Sequence, residues 1–369
     1  MTEKISYEID FRAVGEGDRS GDAIAVRWGT PGNFKILVYD GGTKKSGQEL
    51  ADYIKIHFQT NYVDYVVNSH PDSDHASGLS VILEELTVGE LWMHQPWKYS
   101  ASIRDYFHDQ RITDESLARR LQGRMAAAYE LEKIAEEKNI PIFEPFQGSK
   151  IGDFVVLAPE EEHYVHQLIP RFEKSPDLKE KADAAAATAL DSILKALGGI
   201  KDKALAWIDE KWDVETLSSE GDTSAENESS IVLLGVIAER GILLTGDAGI
   251  EALTAVADFT ESRGVSLPEI LHFVQVPHHG SRNNVSPEVL DRIIGPKLSA
   301  TGDAPIKRAY VSASMTSTTH PRRVVMNAFK RRGFKVYSTK GAHIGHWWNI
   351  TRPDWGPIEE LPFYDQVEP

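Results

Sequence analysis

The sequence predicts an α/β layered fold. Two observations carry that reading. Short apolar runs alternate with segments of helical periodicity, and polar residues gather where the runs end. The densest of these polar endings is "SHPDSDH" at 69–75, directly after the apolar run "VDYVV". Four side chains that ionise or bind metals in six residues are costly to hold together unless something cationic neutralises the carboxylates.

Taken in order, "ISYEIDFRAV", "AIAVRW" and "FKILVYDGG" read as strands of a sheet, punctuated by Gly and Asp. "QELADYIKIHFQ" (48–59) carries Leu50, Ile54 and Phe58 at helical spacing. "VDYVVNS" reads as a buried strand, "SGLSVILEEL" as a helix starting just after the polar cluster, and "GELWMHQPW" as the next strand and loop. From Lys98 to Gly148 the pattern turns helical, chiefly "DESLARRLQGRMAAAYELEKIAEEKN", and "IGDFVVLAPE" restores a strand. Residues 160–226 read as a second helical excursion, with an alanine-rich centre "KADAAAATALDSILKAL" and a flexible polar end "SSEGDTSAEN". Then follow the hairpin "SSIVLLGVIAERGILLTGD", a helix near 249–262, and the strand "ILHFVQVPHHG". The chain ends with strand "RAYVSAS", helix "RRVVMNAFKRRG" and strand "KVYSTK". The expectation is one domain over 1–369, with helical insertions at about 98–148 and 160–226.

Composition narrows the chemistry. Hydrophobic residues make up 41% of the chain, enough for a substantial core. There is no cysteine, which excludes disulfides, thiolate nucleophiles and sulfur-ligated zinc, so any metal must be held by nitrogen and oxygen. A net charge of −16 argues against a surface that uniformly coats nucleic acid. The start "MTEKISYEID" lacks the apolar core of a secretion signal, and no apolar run approaches the roughly 18–20 residues needed to span a bilayer. A soluble, cytoplasmic protein with no membrane partner is expected.

Three polar endings follow buried strands: "SHPDSDH", "LTGD" (244–247) and "VPHHGS" (276–281). Loops at strand ends of layered folds can converge, and these supply His70, Asp72, Asp74, His75, Asp247, His278 and His279. Taken singly, "LTGD" is ordinary turn chemistry. All three in this order point to a site for two divalent metal ions sharing one carboxylate.

The run "HPDSDH", "LLTGD", "VPHHGS" resembles the metallo-β-lactamase fold hydrolases, whose signature is His-x-His-x-Asp-His with later Asp and His ligands. It is most similar to the branch containing the nuclease-like domain of the bacterial competence protein ComEC. That branch has Asp at the place of Asp72, a "VGQGD"-like turn matched by "VGEGD" (14–18), and a "DGG" strand end matched by "YDGG" (39–42). "NESS" (227–230) and "HP" (320–321) also agree, whereas Glu16 stands where glutamine is usual. The resemblance covers the chain outside the two excursions. It implies an αββα sandwich with helical insertions.

The resemblance further implies that His70 and Asp72 face a first metal, Asp74 and His75 a second, and that Asp247 bridges them. His279, directly before glycine, is read as the other ligand, which leaves His278 to contact a phosphate or protonate a leaving group. The family's histidine between the first motif and the bridging Asp has no match here; Asn227, or His163 and His166 in the second excursion, stand nearest. Asp74, His278 and His320 are the expected catalytic residues. Asp40, Asn227, Ser281, Arg322 and Arg323 are the expected supporting or substrate-contacting ones, Asp40 being equally readable as a plain turn former. His94, Trp97, His343 and His346 read as core or rim residues.

Asp72 in place of a histidine makes the first position harder and more anionic, which suits Mn²⁺ or Mg²⁺ as readily as Zn²⁺. The expected activity is therefore a two-metal phosphodiesterase or nuclease, in which a metal-bound hydroxide attacks phosphorus in line. The alternatives are a small-molecule ester or lactone hydrolase of the phosphocholine-esterase kind, and a non-catalytic nucleotide-sensing module whose insertions bind a partner protein. Between Lys307 and Lys340 there is no acid, while Lys307, Arg308, Arg322, Arg323, Lys330, Arg331, Arg332, Lys335 and Lys340 are all basic. This run is read either as a solvated face or as a track for a DNA or RNA backbone.

Overall fold

The computed structural model describes residues 4–15, 17, 20–178, 207–299, 307–353 and 355–368. The alanine-rich centre of the second excursion, and Glu16 with Asp18 of the "VGEGD" turn, lie outside these residues.

Alternating hydrophobicity builds two large sheets. The first contains β1 (Ser6–Phe11), β2 (Ala23–Thr30), β3 (Asn33–Gly41), β4 (Tyr62–Asn68), β5 (Thr87–Met93) and β6 (Ile142–Phe143) in that order. The second contains β7 (Lys150–Ile151), β8 (Phe154–Ala158), β10 (Val232–Ile237), β11 (Arg240–Leu244), β12 (Leu271–Gln275), β13 (Lys307–Val311) and β14 (Phe334–Ser338). A short pair, β9 (Ile208–Asp209) with β16 (Gln366–Val367), stands apart. A strand absent from the sequence-based reading, β15 (Ile344–Trp348), pairs antiparallel with β1 and closes the first sheet at seven strands.

The period-two pattern divides the core into layers. In β3, Leu37 and Tyr39 face the other sheet, in a cluster that also holds Phe154, Leu233, Phe273 and Tyr310. Ile36 and Val38 face outward, against the helices Lys44–Tyr53 and Ser73–Glu85. The second sheet buries its outer face under the helices Ile250–Ser262, Pro287–Ile294 and Arg323–Arg331. Helix, sheet, sheet, helix is the four-layer α/β architecture expected from the sequence.

From β3 to β6 the first sheet is parallel, as is the second from β11 to β14. Their C-terminal ends therefore lie on a common edge, and the loops that leave β3, β4, β11, β12 and β13 carry the candidate residues. Backbone proximity fixes one of these loops closely. A Cβ on Gly78 would overlap the Gly41 carbonyl oxygen, so only glycine lets this helix press against the end of β3.

The insertions depart from the expectation. The helix read across 114–139 breaks at Met125 into Asp114–Arg124 and Ala126–Lys138. In 160–226, helical turns cover only 161–171 and 225–228 among the described residues. The polar end read as flexible is exposed at 218–222 yet tethered: the Ser219 hydroxyl donates to Glu288 Oε1 (2.7 Å), and a Cβ on Gly221 would overlap the Asn283 carbonyl oxygen.

Candidate metal centre

The helix Ser73–Glu85 begins inside the polar cluster rather than after it, with Asp72 as its N-cap, so Asp74 and His75 sit on the first turn. His70 precedes it on the loop from β4. Asp247 follows β11, and His278 and His279 follow β12. Both of these histidines hold left-handed backbone conformations (φ 44° and 55°), a sparsely populated choice that clusters at functional sites. Gly280 completes the bend, and a Cβ there would meet Pro321 Cβ at 2.8 Å.

The four imidazoles converge on one carboxylate oxygen. From Asp247 Oδ2, Nε2 of His75 lies at 3.3 Å, Nε2 of His278 and of His279 at 3.7 Å, and Nε2 of His70 at 3.8 Å. Hydrogen bonds behind the rings fix which nitrogen carries the proton. His75 Nδ1 donates to Asp40 Oδ2 (2.9 Å), and His279 Nδ1 donates to the Ser312 carbonyl (3.2 Å). The Ser69 hydroxyl donates to Asp40 Oδ2 (2.6 Å), so its oxygen accepts from His70 Nδ1 (2.9 Å). The Asn284 amide donates to the Asp247 carbonyl (2.9 Å), which leaves its Oδ1 to accept from His278 Nδ1 (2.9 Å). Every ring thus turns Nε2 inward. Asp40, itself held by the Ser69 amide (2.7 Å), is an orienting acceptor and not merely a turn former.

Electrostatics reinforce the pattern. Burial pushes His279 down to about 3 and lowers His70, so both rings are neutral donors. Burial would lower His75 too, but the Asp247 and Asp40 carboxylates outweigh it and hold it well above its ordinary value. Asp247 is buried yet held well below the usual carboxylate range by His75, His278 and His279. Asp22, which sequence reasoning missed, is pushed up to about 7 by burial. Its only signal was a "GD" before a strand, the same punctuation as "LTGD".

A divalent ion fits this donor set. Nε2 of His70, Nε2 of His75, Oδ1 of Asp247 and Oδ2 of Asp22 are buried without a hydrogen-bond partner, a costly state that a cation would relieve. Single ligand atoms of Asp74, His75 and His279 lie within 4.8 Å of one another, as do those of Asp247, His278 and His279, and of Asp22, His75 and Asp247. His279 joins two of these groups and His278 one, so the geometry does not confine His278 to a leaving-group role.

Asp72 stands apart from those groups. It is paired with the Lys174 ammonium through Oδ1, and its Oδ2 lies 3.9 Å from His70 Nε2. Burial would raise its pKa, but His70 and Lys174 hold it below the ordinary value. Asn227 is no evident ligand: its amide nitrogen donates to Thr223 Oγ1 (2.7 Å) and sits 3.2 Å from His278 Nδ1. His163 and His166 bind elsewhere, His163 to Glu251 (2.8 Å) and His166 to Tyr106 (3.0 Å). His320 stacks near-parallel to His278 with ring centroids 6.2 Å apart, within reach of a bound substrate. Ser281 accepts from the Asn283 amide (3.3 Å) and serves the loop. His94 is buried, stacked 4.2 Å from Tyr164.

A cavity of about 380 Å³ opens over the donors. Both insertions wall it: Arg124 and Met125 from the first, Glu173 and Lys174 from the second. The basic run does not. Arg323 lies over Trp207 (4.6 Å) and Tyr364 (4.9 Å), and its backbone donates to Glu368. Arg331 is fully buried against Glu210 (2.7 Å), and Arg332 pairs with Glu215 (2.7 Å) and Asp291 (2.8 Å). Lys330 and Lys335 share Glu360. Arg322 meets the site's neighbourhood through its backbone, which donates to the Gly280 carbonyl (3.1 Å). Among the run's basic residues only Arg331 and Arg332 are buried, and its paired cations take partners far away in the chain.

Residues 17–169 match the family model of the Metallo-beta-lactamase superfamily. No curated protein matches the sequence. Solved structures with a similar course include yeast PDE1 (10% identity, TM-score 0.41, covering 92% of this chain and 99% of that one). The metallo-beta-lactamase SMB-1 bound to 2-mercaptoethanesulfonate gives 12% identity and a TM-score of 0.30, over 74% of this chain and 82% of that one. A long form of yeast RNase Z gives 10% and 0.34, over 96% of this chain and 39% of that one.

Proposed function

We propose that this chain, which carries a metallo-β-lactamase superfamily domain at 17–169, is a metal-dependent hydrolase of phosphodiesters. The observation that carries the reading is the convergence of four Nε2 atoms on Asp247, with those of His70 and His75 and one oxygen each of Asp22 and Asp247 buried and unpaired. His70, His75, His278, His279, Asp74 and Asp247 would hold the metal. A bound ion would acidify water and offset charge on phosphoryl oxygens.

Imidazoles outnumber free carboxylates, which favours zinc, while the oxygens of Asp74 and Asp247 keep manganese, and after it magnesium, as alternatives. The protein's own groups supply the rest. Asp40 keeps His75 oriented, and Asn284 keeps His278 oriented. His320, beside His278, is placed to donate a proton to a leaving oxygen. Phosphate rather than amide chemistry is supported by Arg124 and Lys174 at the cavity wall, cations suited to anionic oxygens.

A nuclease is the form of this reading that needs a long basic surface, and the run 307–340 offers little of one. The cavity of about 380 Å³ instead favours a compact diester, which keeps the small-ester hydrolase as the second reading. The deciding experiment presents bis-p-nitrophenyl phosphate, plasmid DNA and nitrocefin with Mn²⁺, Zn²⁺ and Mg²⁺ in turn. Metal-dependent release of p-nitrophenol, abolished by chelator, is expected. Nitrocefin turnover without diester turnover would overturn the assignment.

A further inference from the structure

We propose that the Lys174 ammonium, rather than a second divalent ion, supplies the positive charge at the Asp72 corner of the site. The proposal rests on the metal-hydrolase reading and deepens it. The centre takes one divalent ion on the Asp247 side, and a lysine faces the substrate's phosphoryl oxygens on the other.

Three observations meet at this corner. Asp72 joins none of the compact donor groups that Asp74, His75, His279 and Asp247 form, and one of its oxygens is bonded to Lys174. Lys174 is itself built in. Its ammonium lies 3.6 Å from Glu226 Oε1, and its backbone amide donates to the same oxygen (3.1 Å), while Glu226 is 1% exposed. One ammonium held between two carboxylates repels a divalent ion seeking the same Asp72 oxygen. Lastly, the Asn227 amide nitrogen donates to Thr223 Oγ1, and its side chain adds no negative charge at this corner to draw a second divalent ion. Asp72, Lys174 and Asn227 all line the cavity that holds Asp247 and His279, so the ammonium and the metal donors face one bound molecule.

Lysine is a compact point charge that neutralises a phosphoryl oxygen without needing a bidentate geometry. Its stem comes from the second insertion, so that segment supplies part of the active site's charge. Asp72 then acts as the anchor that aims Lys174. Its carboxylate still pairs with a cation, but with an ammonium where the sequence reading gave it a metal.

The test compares wild type with Lys174→Met and Lys174→Arg, by elemental analysis after equilibration with Mn²⁺ or Zn²⁺ and by kinetics on bis-p-nitrophenyl phosphate. Wild type should hold about one equivalent of metal. Lys174→Met frees Asp72, so it should take up additional metal while kcat/KM falls by about 10²-fold. Lys174→Arg keeps the charge and should retain wild-type stoichiometry and most of the rate, which separates a charge effect from a folding defect. About two tight equivalents in wild type would overturn the proposal, as would a Lys174→Met variant with unchanged stoichiometry and unchanged kcat/KM. Wild type that binds no metal would instead bring down the hydrolase reading beneath it.

Discussion

Around Asp247, donors are crowded and left short of partners: four inward Nε2 atoms, and buried oxygens of Asp22 and Asp247 with no hydrogen bond. Along Lys307–Lys340, charges are equally dense but mostly satisfied, with Arg331 on Glu210, Arg332 on Glu215 and Asp291, and Lys330 on Glu360. Both regions stand out in the sequence. The difference teaches that density of ionisable groups does not by itself mark a site: around Asp247 buried donors lack partners, whereas along the run most cations are met by acids or rings from elsewhere in the chain.

The largest expected effect lies in the unsatisfied region. Loss of an outer hydrogen-bond partner of a metal ligand costs roughly 10–100-fold, so Asp247→Ala, which removes a ligand itself, should lose most bound metal and at least about 10³-fold in diester turnover. Circular dichroism should stay native, since Asp40 remains as the counterion of His75. Retention of the wild-type metal content would show that Asp247 is not where the donors meet, and the comparison would fail at its first term.

The satisfied region predicts the opposite signature. Glu210 and Arg331 are both fully buried, and Arg331 also donates to the carbonyls of Lys211, Trp212 and Val214. Removing one partner leaves an uncompensated buried charge, so Glu210→Ala should destabilise the protein by about 3–5 kcal/mol while turnover per folded molecule is unchanged. Denaturant melts read beside the active fraction would check it. Lost turnover at native stability would place this run in the site.

Much of this was legible beforehand. The layers were, because period-two strands and helical spacing are local signals, and so were the loops that carry the candidate donors, because each follows its own strand end. Asp22 was missed for its ordinary "GD" setting. Lys174 left no trace, since its partner Asp72 lies 102 residues away. The pairing of the basic run was hidden for the same reason: Glu210, Glu215 and Glu360 approach it only through the fold.

Burial with a single, distant carboxylate is tested by His94. Both of its ring nitrogens are buried without a partner, as at the metal centre, yet it stacks on Tyr164 and Phe146 with only Glu144 nearby, at 4.0 Å. Burial pushes its pKa down to about 3. The folded protein then binds fewer protons than the unfolded chain between about pH 3 and 6.5, so stability is present above that window and lost as pH falls through it. His94→Phe should remove about 3 kcal/mol of the loss between pH 7 and pH 4. An unchanged acid melt would mean that this ring charges in the native state and has a partner the contrast denies it.

The smallest effect is the sharpest probe of the run. If a polynucleotide tracked along 307–340, replacing Arg322 and Arg323 with Ala would flatten the plot of log K against log salt by up to about two units, near 0.9 for each duplex phosphate no longer neutralised. Arg323, however, lays its guanidinium over Trp207 and Tyr364 and donates to the Gln366 carbonyl (3.4 Å), so it is less available to a phosphate in solution. Arg322 keeps its side chain available while its backbone braces Gly280. The double variant should therefore shift the slope by about one unit at most, and Arg323→Ala alone should lower stability without touching it. A titration at several salt concentrations, with catalysis blocked by Asp247→Ala, reads both. A drop of about two units would mean that Arg323 leaves its aromatic seat to meet the nucleic acid. The run would then be a binding surface that folds inward only when it is empty, and the division between spent and waiting charge would depend on the ligand.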